Sequence, residues 1–191
     1  MARIQDGSGR GFEAAVDDTN RLLVESVALS IREEAVLDGA SFELGGLVTL
    51  TGTAETAVIF VENQQDRTIV LDRFEFSSPE STGGTSDAML LTLYTGPSAI
   101  TNSTPGGVGN ANFGSALAIP VDVQLGNGST SAVTGGSAFG SSYVRLVGQS
   151  MFNGPWAVPR GNTFALTATP PAGNTSLPFT VRVLTHLERG Q

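Results

Sequence analysis

The sequence contains no cysteine. Disulfides, thiolate metal sites and cysteine nucleophiles are therefore excluded. Lysine is absent too, since all ten basic residues are arginine. That removes Schiff-base chemistry and the phosphate-gripping lysine of a P-loop. His186 is the single histidine. A multi-histidine metal site is thus out of reach, and a Ser-His-Asp triad would have to run through this one residue. No G-x-S-x-G elbow accompanies it, because Gly136-Ser137-Ala138-Phe139-Gly140 has its serine in the wrong place. No apolar run approaches the roughly 18 residues of a membrane span. Met1 to Gly11 is polar and lacks an apolar core, so no secretory leader is expected.

Charge is also scarce. Charged residues make up 15% of the 191, against about 25% in typical domains. What charge there is lies unevenly. Six arginines against sixteen acids leave −10 in residues 1–90, and four against two leave +2 in the rest. An acidic chain does not suit binding along a phosphate backbone, so no nucleic-acid partner is expected. The nearly chargeless second half, rich in Gly, Ser, Thr and Asn, suits contacts between copies because few charges need desolvation.

Turn formers are abundant: 24 Gly and 9 Pro are spread along the chain. Many short elements joined by tight turns are implied, hence an all-β protein. The length fits one β-sandwich with its own core and is awkward for two. Residues 1–38 read as an N-terminal arm. A glycine run, Gly7 to Gly11, precedes a hairpin of Phe12–Val16 and Arg21–Val27 around the polar turn Asp17–Asn20. A linker with a short helical turn lined by Ile31, Ala35 and Leu37 follows. Residues 39–191 read as an antiparallel β-sandwich, jelly-roll-like, of eight to ten strands. Leu47–Thr51, Ala57–Val61, Thr68–Phe76, Ala88–Tyr94, Ala116–Leu125, Tyr143–Val147, Trp156–Val158, Thr163–Ala168 and Pro178–Leu187 carry the strand signals. The alternation slips at Asp72-Arg73, which marks a bulge. Gly96 to Gly114 reads as a long loop. Phe164, Leu166, Phe179, Val181 and Val183 are expected in the core, and His186 on the polar face of its strand, at the surface.

A search for chemistry returns turn formers. The carboxylate pairs Asp17/Asp18, Glu33/Glu34 and Asp66/Asp72 read as solvated acids rather than a glycosidase pair. Gly7-Ser8-Gly9-Arg10-Gly11 follows no strand, opens no helix and has no lysine, so it is not a phosphate loop. Asn102, Asn127 and Asn174 open glycan-acceptor patterns that read as loop sequence. Tyr94, Tyr143, Phe152 and Trp156 are candidates for a sugar-stacking platform, against the plainer reading that most of them fill the core. No catalytic residue, cofactor or metal is expected.

Ile4 to Val27 (IQDGSGRGFEAAVDDTNRLLVESV) resembles an opening found in tailed-phage virion proteins. Glu34–Phe42, Leu47–Thr51, Asn63–Arg67, Thr82–Asp87, Asn112–Ser115 and Pro170–Ser176 resemble an uncharacterised group of phage structural proteins of the head-decoration or head-fibre type. The resemblance implies a non-enzymatic virion component on the outer capsid surface, a decoration or cement protein that stabilises the assembled head. Its implied partners are the major capsid protein and itself, as a homotrimer, with no membrane. In this reading the arm grips the capsid. Ile4, Phe12, Val16, Leu22 and Val24 supply apolar burial, and Arg21 a charge-assisted hydrogen bond. One rival is a head-fibre or receptor-binding module that contacts host surface glycans, marked by exposed aromatics around residues 96–114, Phe152 and Trp156. Another is a glycan-degrading enzyme, which needs two carboxyls within about 10 Å across a groove.

Overall fold

The structure is a computed structural model, and it describes residues 3–4, 12–13, 15–16, 22–23, 31–78, 88–145 and 148–188. Two compact units divide the chain, Met1–Ile31 and Arg32–Gln191. In the first unit β1 (Arg3–Ile4) pairs with β2 (Phe12–Glu13), and β3 (Ala15–Val16) pairs with β4 (Leu22–Leu23). The second ladder sets Val16 opposite Leu22, as the polar-turn hairpin requires. The first ladder, Ile4 opposite Phe12, spans the glycine run and has no counterpart in the sequence reading.

The division between the two units falls at the start of α1 (Ile31–Leu37), which commits most of its length to the second. Ala35 is buried in that unit's core, while Leu37 is exposed and does not share the packed face. Glu33 and Glu34 stand in the first turn, where carboxylates complement the helix dipole. Gly39, at φ +69°, lets the chain leave the helix, with its N–H donating to the Val36 carbonyl.

The second unit is a jelly roll. Its eight long strands are β5 (Ser41–Leu50), β6 (Thr56–Asn63), β7 (Ile69–Ser78), β8 (Ala88–Ile100), β12 (Val133–Arg145), β13 (Gly148–Val158), β14 (Thr163–Thr169) and β15 (Leu177–Leu187). Between β8 and β12 lie β9 (Ser103–Pro105), β10 (Gly107–Asn110) and β11 (Val121–Gly126). The first long strand pairs with the last, the second with the seventh, the third with the sixth and the fourth with the fifth, all antiparallel. That is one long hairpin of four strand pairs. Rolling it up lays β15 beside β7 and β14 beside β8. The sheet orders become β10-β5-β15-β7-β13 and β12-β8-β14-β6-β11-β9. Two facing sheets in this order are the double Greek key of a jelly roll.

Alternation decides which side chains enter the space between the sheets. Leu177, Phe179, Val181 and Val183 of β15 are buried while Arg182 is exposed. Phe164, Leu166 and Ala168 meet them from β14. In β7, Ile69 and Leu71 point inward, then Phe74 and Phe76 do. The phase changes at Asp72, which the register against β15 skips, since Leu71 faces Thr185 and Arg73 faces Leu184. Asp72 is therefore the extra residue of a bulge, where the sequence places one. Phe74 touches Phe76, Trp156 and Phe164, and Phe76 stacks on Phe179, so an aromatic chain ties the two sheets together.

The segment expected as a loop from Gly96 to Gly114 is largely strand. β8 continues to Ile100, β9 pairs with β11, and β10 pairs with β5. The glycines hid this, because a strand of Gly107-Val108-Gly109-Asn110 has almost no side-chain alternation to read. The far end of the β8–β12 hairpin also builds a second small apolar cluster. Ile100 and Val133 pack with Ala57, Phe60 and Ala165, which turn away from the main core.

Candidate functional site

The arm residues divide by what is described. Ile4 lies in β1, Phe12 in β2, Val16 in β3 and Leu22 in β4, in two cross-strand pairs. Arg21 and Val24 lie outside the described residues. The backbone thus brings four of the six positions together two by two.

On the second unit, the most developed surface is the outer face of the five-stranded sheet. Gly107, Gly45 and Arg182 follow one another across β10, β5 and β15. The missing side chains leave a shallow groove of about 590 Å³, floored by Gly45, Gly46, Gly107 and Gly109. Val108 and the fully exposed Phe113 border it toward β10, and Glu43 and Arg182 line it as well. The glycine at 45 is demanded by the backbone. Its φ is +145°, and a Cβ would stand 2.0 Å from the Val181 carbonyl oxygen.

Charge along this face is paired. Arg182 donates from Nε and Nη2 to the two Glu43 oxygens, each at 2.6 Å, and its Nη1 reaches Glu75 at 3.3 Å. Arg73 grips the other Glu75 oxygen at 2.6 Å. Glu75 is only 8% exposed, so both arginines are needed to offset its desolvation. The hydrogen bonds from Arg182 hold the Glu43 carboxyl below the usual carboxylate range, against an opposing effect of burial. A catalytic acid needs the reverse shift.

A depressed folded-state pKa contributes stability above the ordinary carboxylate value, and that contribution is lost as pH falls through the folded value. Both partners are substantially exposed, which limits the effect. Glu43→Gln is therefore expected to destabilise by about 0.5–1 kcal/mol at neutral pH and to become nearly neutral in strong acid. Urea unfolding at the two pH values checks this.

Other acids singled out in the sequence are paired separately. Asp66 meets Arg160 at 2.5 Å on the surface. Asp72, thrown outward by its bulge, meets His186 Nδ1 at 2.9 Å. His186 is 9% exposed, so the expectation of a surface histidine is corrected. It lies on the outer face of its strand, but a neighbouring carboxylate and the chain around it cover the ring. Period-two reading gives the face and cannot give the cover.

Among the aromatic candidates, Trp156 packs on Phe74 and is half-buried. Tyr94 packs on the small outer cluster and donates its hydroxyl to Glu55 at 3.0 Å. Burial raises the Tyr94 pKa, and the adjacent Glu55 adds to the rise. Tyr143 is exposed, and the Phe152 side chain lies outside the described residues. Phe113, the one aromatic residue of the 96–114 segment singled out for glycan contact, is fully exposed, and its position among Gly, Asn and Ser carries no periodic signal. No cluster of metal-ligating side chains occurs among the described residues. No helix among them is long and apolar enough to cross a membrane. The sequence matches no protein-family model and no curated protein.

Proposed function

We propose that this chain is a non-enzymatic decoration protein of a tailed-phage head, bound to the major capsid protein on the outer surface of the assembled shell. The observation that carries the reading is the division of the chain into a 31-residue unit and a jelly roll. Among its described residues, the small unit holds two ladders of two residue pairs each. Ladders of that size are marginal in water and gain stability from a partner surface. The jelly roll carries its own closed core and suits a body displayed outside the shell. Binding only the assembled shell stabilises that shell by linkage. The resemblance, over most of the chain, to phage structural proteins of the head-decoration or head-fibre type points the same way, and implies self-association as a trimer. Co-sedimentation of the purified protein with undecorated heads tests the reading. Saturable binding to heads, with none to unassembled capsid protein, is expected.

A second reading, glycan contact by a head fibre, is favoured by one feature. Phe113 stands fully exposed beside the glycine-floored groove, near Arg182 and Glu43. If that groove holds a sugar face against the ring, Phe113→Ala abolishes adsorption of the protein to host cells and leaves head binding intact. The decoration reading expects Phe113→Ala to leave both unchanged. Flow cytometry with labelled protein separates them.

A further inference from the structure

A sheet in a monomer needs its edges protected, by shortness, proline, charge or cover. Three of the four edges here are short or carry proline. β10 has four residues. β9 has three and ends at Pro105. β13 contains Pro155, which cannot donate a ladder hydrogen bond. The fourth edge, β12, runs thirteen residues without proline; its one charge, Arg145, is its last residue, and its bulge falls at Phe139, which the register against β8 skips. From Val133 to Val144 it carries no charge and no proline, and no strand among the described residues pairs with its outer side.

The composition of β12 invites a close approach. Gly135, Gly136, Ser137, Ala138, Gly140 and Ser141 are small, and most of the strand is exposed. Two larger side chains stand out along it, Phe139 at 45% and Tyr143 at 74% exposure. Phe139 meets the edge of Phe164 at 6.4 Å between ring centres. With Pro155, Trp156 and Phe164 it lines an open cleft of about 350 Å³ beside the strand. This long, small-residue edge therefore adjoins an apolar recess with room for a partner's side chain.

We infer that the outer edge of β12, together with the cleft at Phe139, is the contact surface for a second copy of this chain. Charge selects that occupant. The chain carries −8, yet residues 123–144 carry no charge at all. Two copies approaching through the acidic first ninety residues bring like charges together, whereas at this edge they meet without repulsion or charge desolvation. A neutral strand also complements its own copy, because the backbone groups it offers are those it needs. Size agrees with a contact of strand plus cleft. A stable interface takes roughly 20–30 residues a side; the thirteen of β12 supply about half of that, and the cleft rim extends it. The inference identifies the surface for the self-association proposed above and does not depend on capsid binding.

The test uses the full chain and light scattering at tens of micromolar, with the double variant Ser137→Lys/Ser141→Lys. Lysine beside a strand edge is the device natural sheets use against pairing. The wild type is expected as a dimer or a trimer, and the double variant as a monomer with at least a tenfold weaker association. Ala138→Glu, of opposite sign, should have the same effect. Val108→Lys, on the β10 edge, should leave the oligomer unchanged. Melting temperatures near the wild-type value show that the variants fold, and a variant that unfolds is replaced in the comparison by Phe139→Ser. A monomeric wild type, or β12 variants that keep the wild-type mass, overturns the inference. Equal dissociation by Val108→Lys also overturns it. A wild type that self-associates but does not sediment with heads counts against the decoration reading alone.

Discussion

Replacing Phe164 or Phe179 by alanine is expected to cost about 3–5 kcal/mol of folding stability. The two rings come from opposite sheets, Phe164 from β14 and Phe179 from β15, and both are almost fully buried. Phe164 lies 5.2 Å from the Phe74 ring and also meets Phe139, while Phe179 stacks on Phe76 at 5.4 Å. Each truncation opens a cavity walled by paired strands, which cannot collapse to fill it. Total stability for a domain is about 5–15 kcal/mol, so either change removes a large share of it. Urea denaturation measures the loss directly. A change below about 1 kcal/mol for both variants contradicts the assignment of the inner faces. Tyr143→Ala serves as the contrast, since an exposed ring on an edge strand contributes little to folding.

Deleting residues 1–27 is expected to abolish binding to heads while leaving the melting temperature nearly unchanged. The described core residues, from Ala35 to Leu187, all belong to the second unit, and the truncated chain keeps every one of them. What it loses are the two short ladders and the positions Ile4, Phe12, Val16, Arg21, Leu22 and Val24, assigned above to the capsid grip. If those apolar residues instead served the chain's own stability, deletion would cost several kcal/mol, at roughly 1.5–3 kcal/mol for each large side chain buried. Calorimetry and co-sedimentation on the same preparation distinguish the two. Unaltered head binding by the truncated protein removes the arm from the mechanism.

The sequence disclosed the fold class through side-chain alternation. It disclosed most where alternation is strong, as in Phe179 to Leu187, and even the break at Asp72 could be read as a bulge. Strand order was not legible, because pairing β5 with β15 joins residues well over a hundred positions apart and leaves no local trace. Glycine-rich strands were read as turns for a related reason. Thr134 to Ser137 has the residues of a turn, with Gly135 and Gly136 at positive φ, yet it lies within β12 and is held to β8 through register shifts. The same holds for Gly107 to Asn110, whose pairing depends on β5 rather than on its own composition. Of the candidate site, the arm hairpin was visible as apolar residues around a polar turn. The groove was not, since it arises where glycines of two strands and an arginine of a third come into register. His186 was misplaced for want of any signal that its outer face is covered.

The most direct test of the decoration reading is a cryo-EM map of the virion carrying this protein, at a resolution that traces strands. The account predicts jelly-roll density outside the head shell, with residues 1–27 ordered against the major capsid protein and β12 facing a neighbouring copy. Jelly-roll density confined to the tail or collar, or a head surface bare of it, contradicts the account.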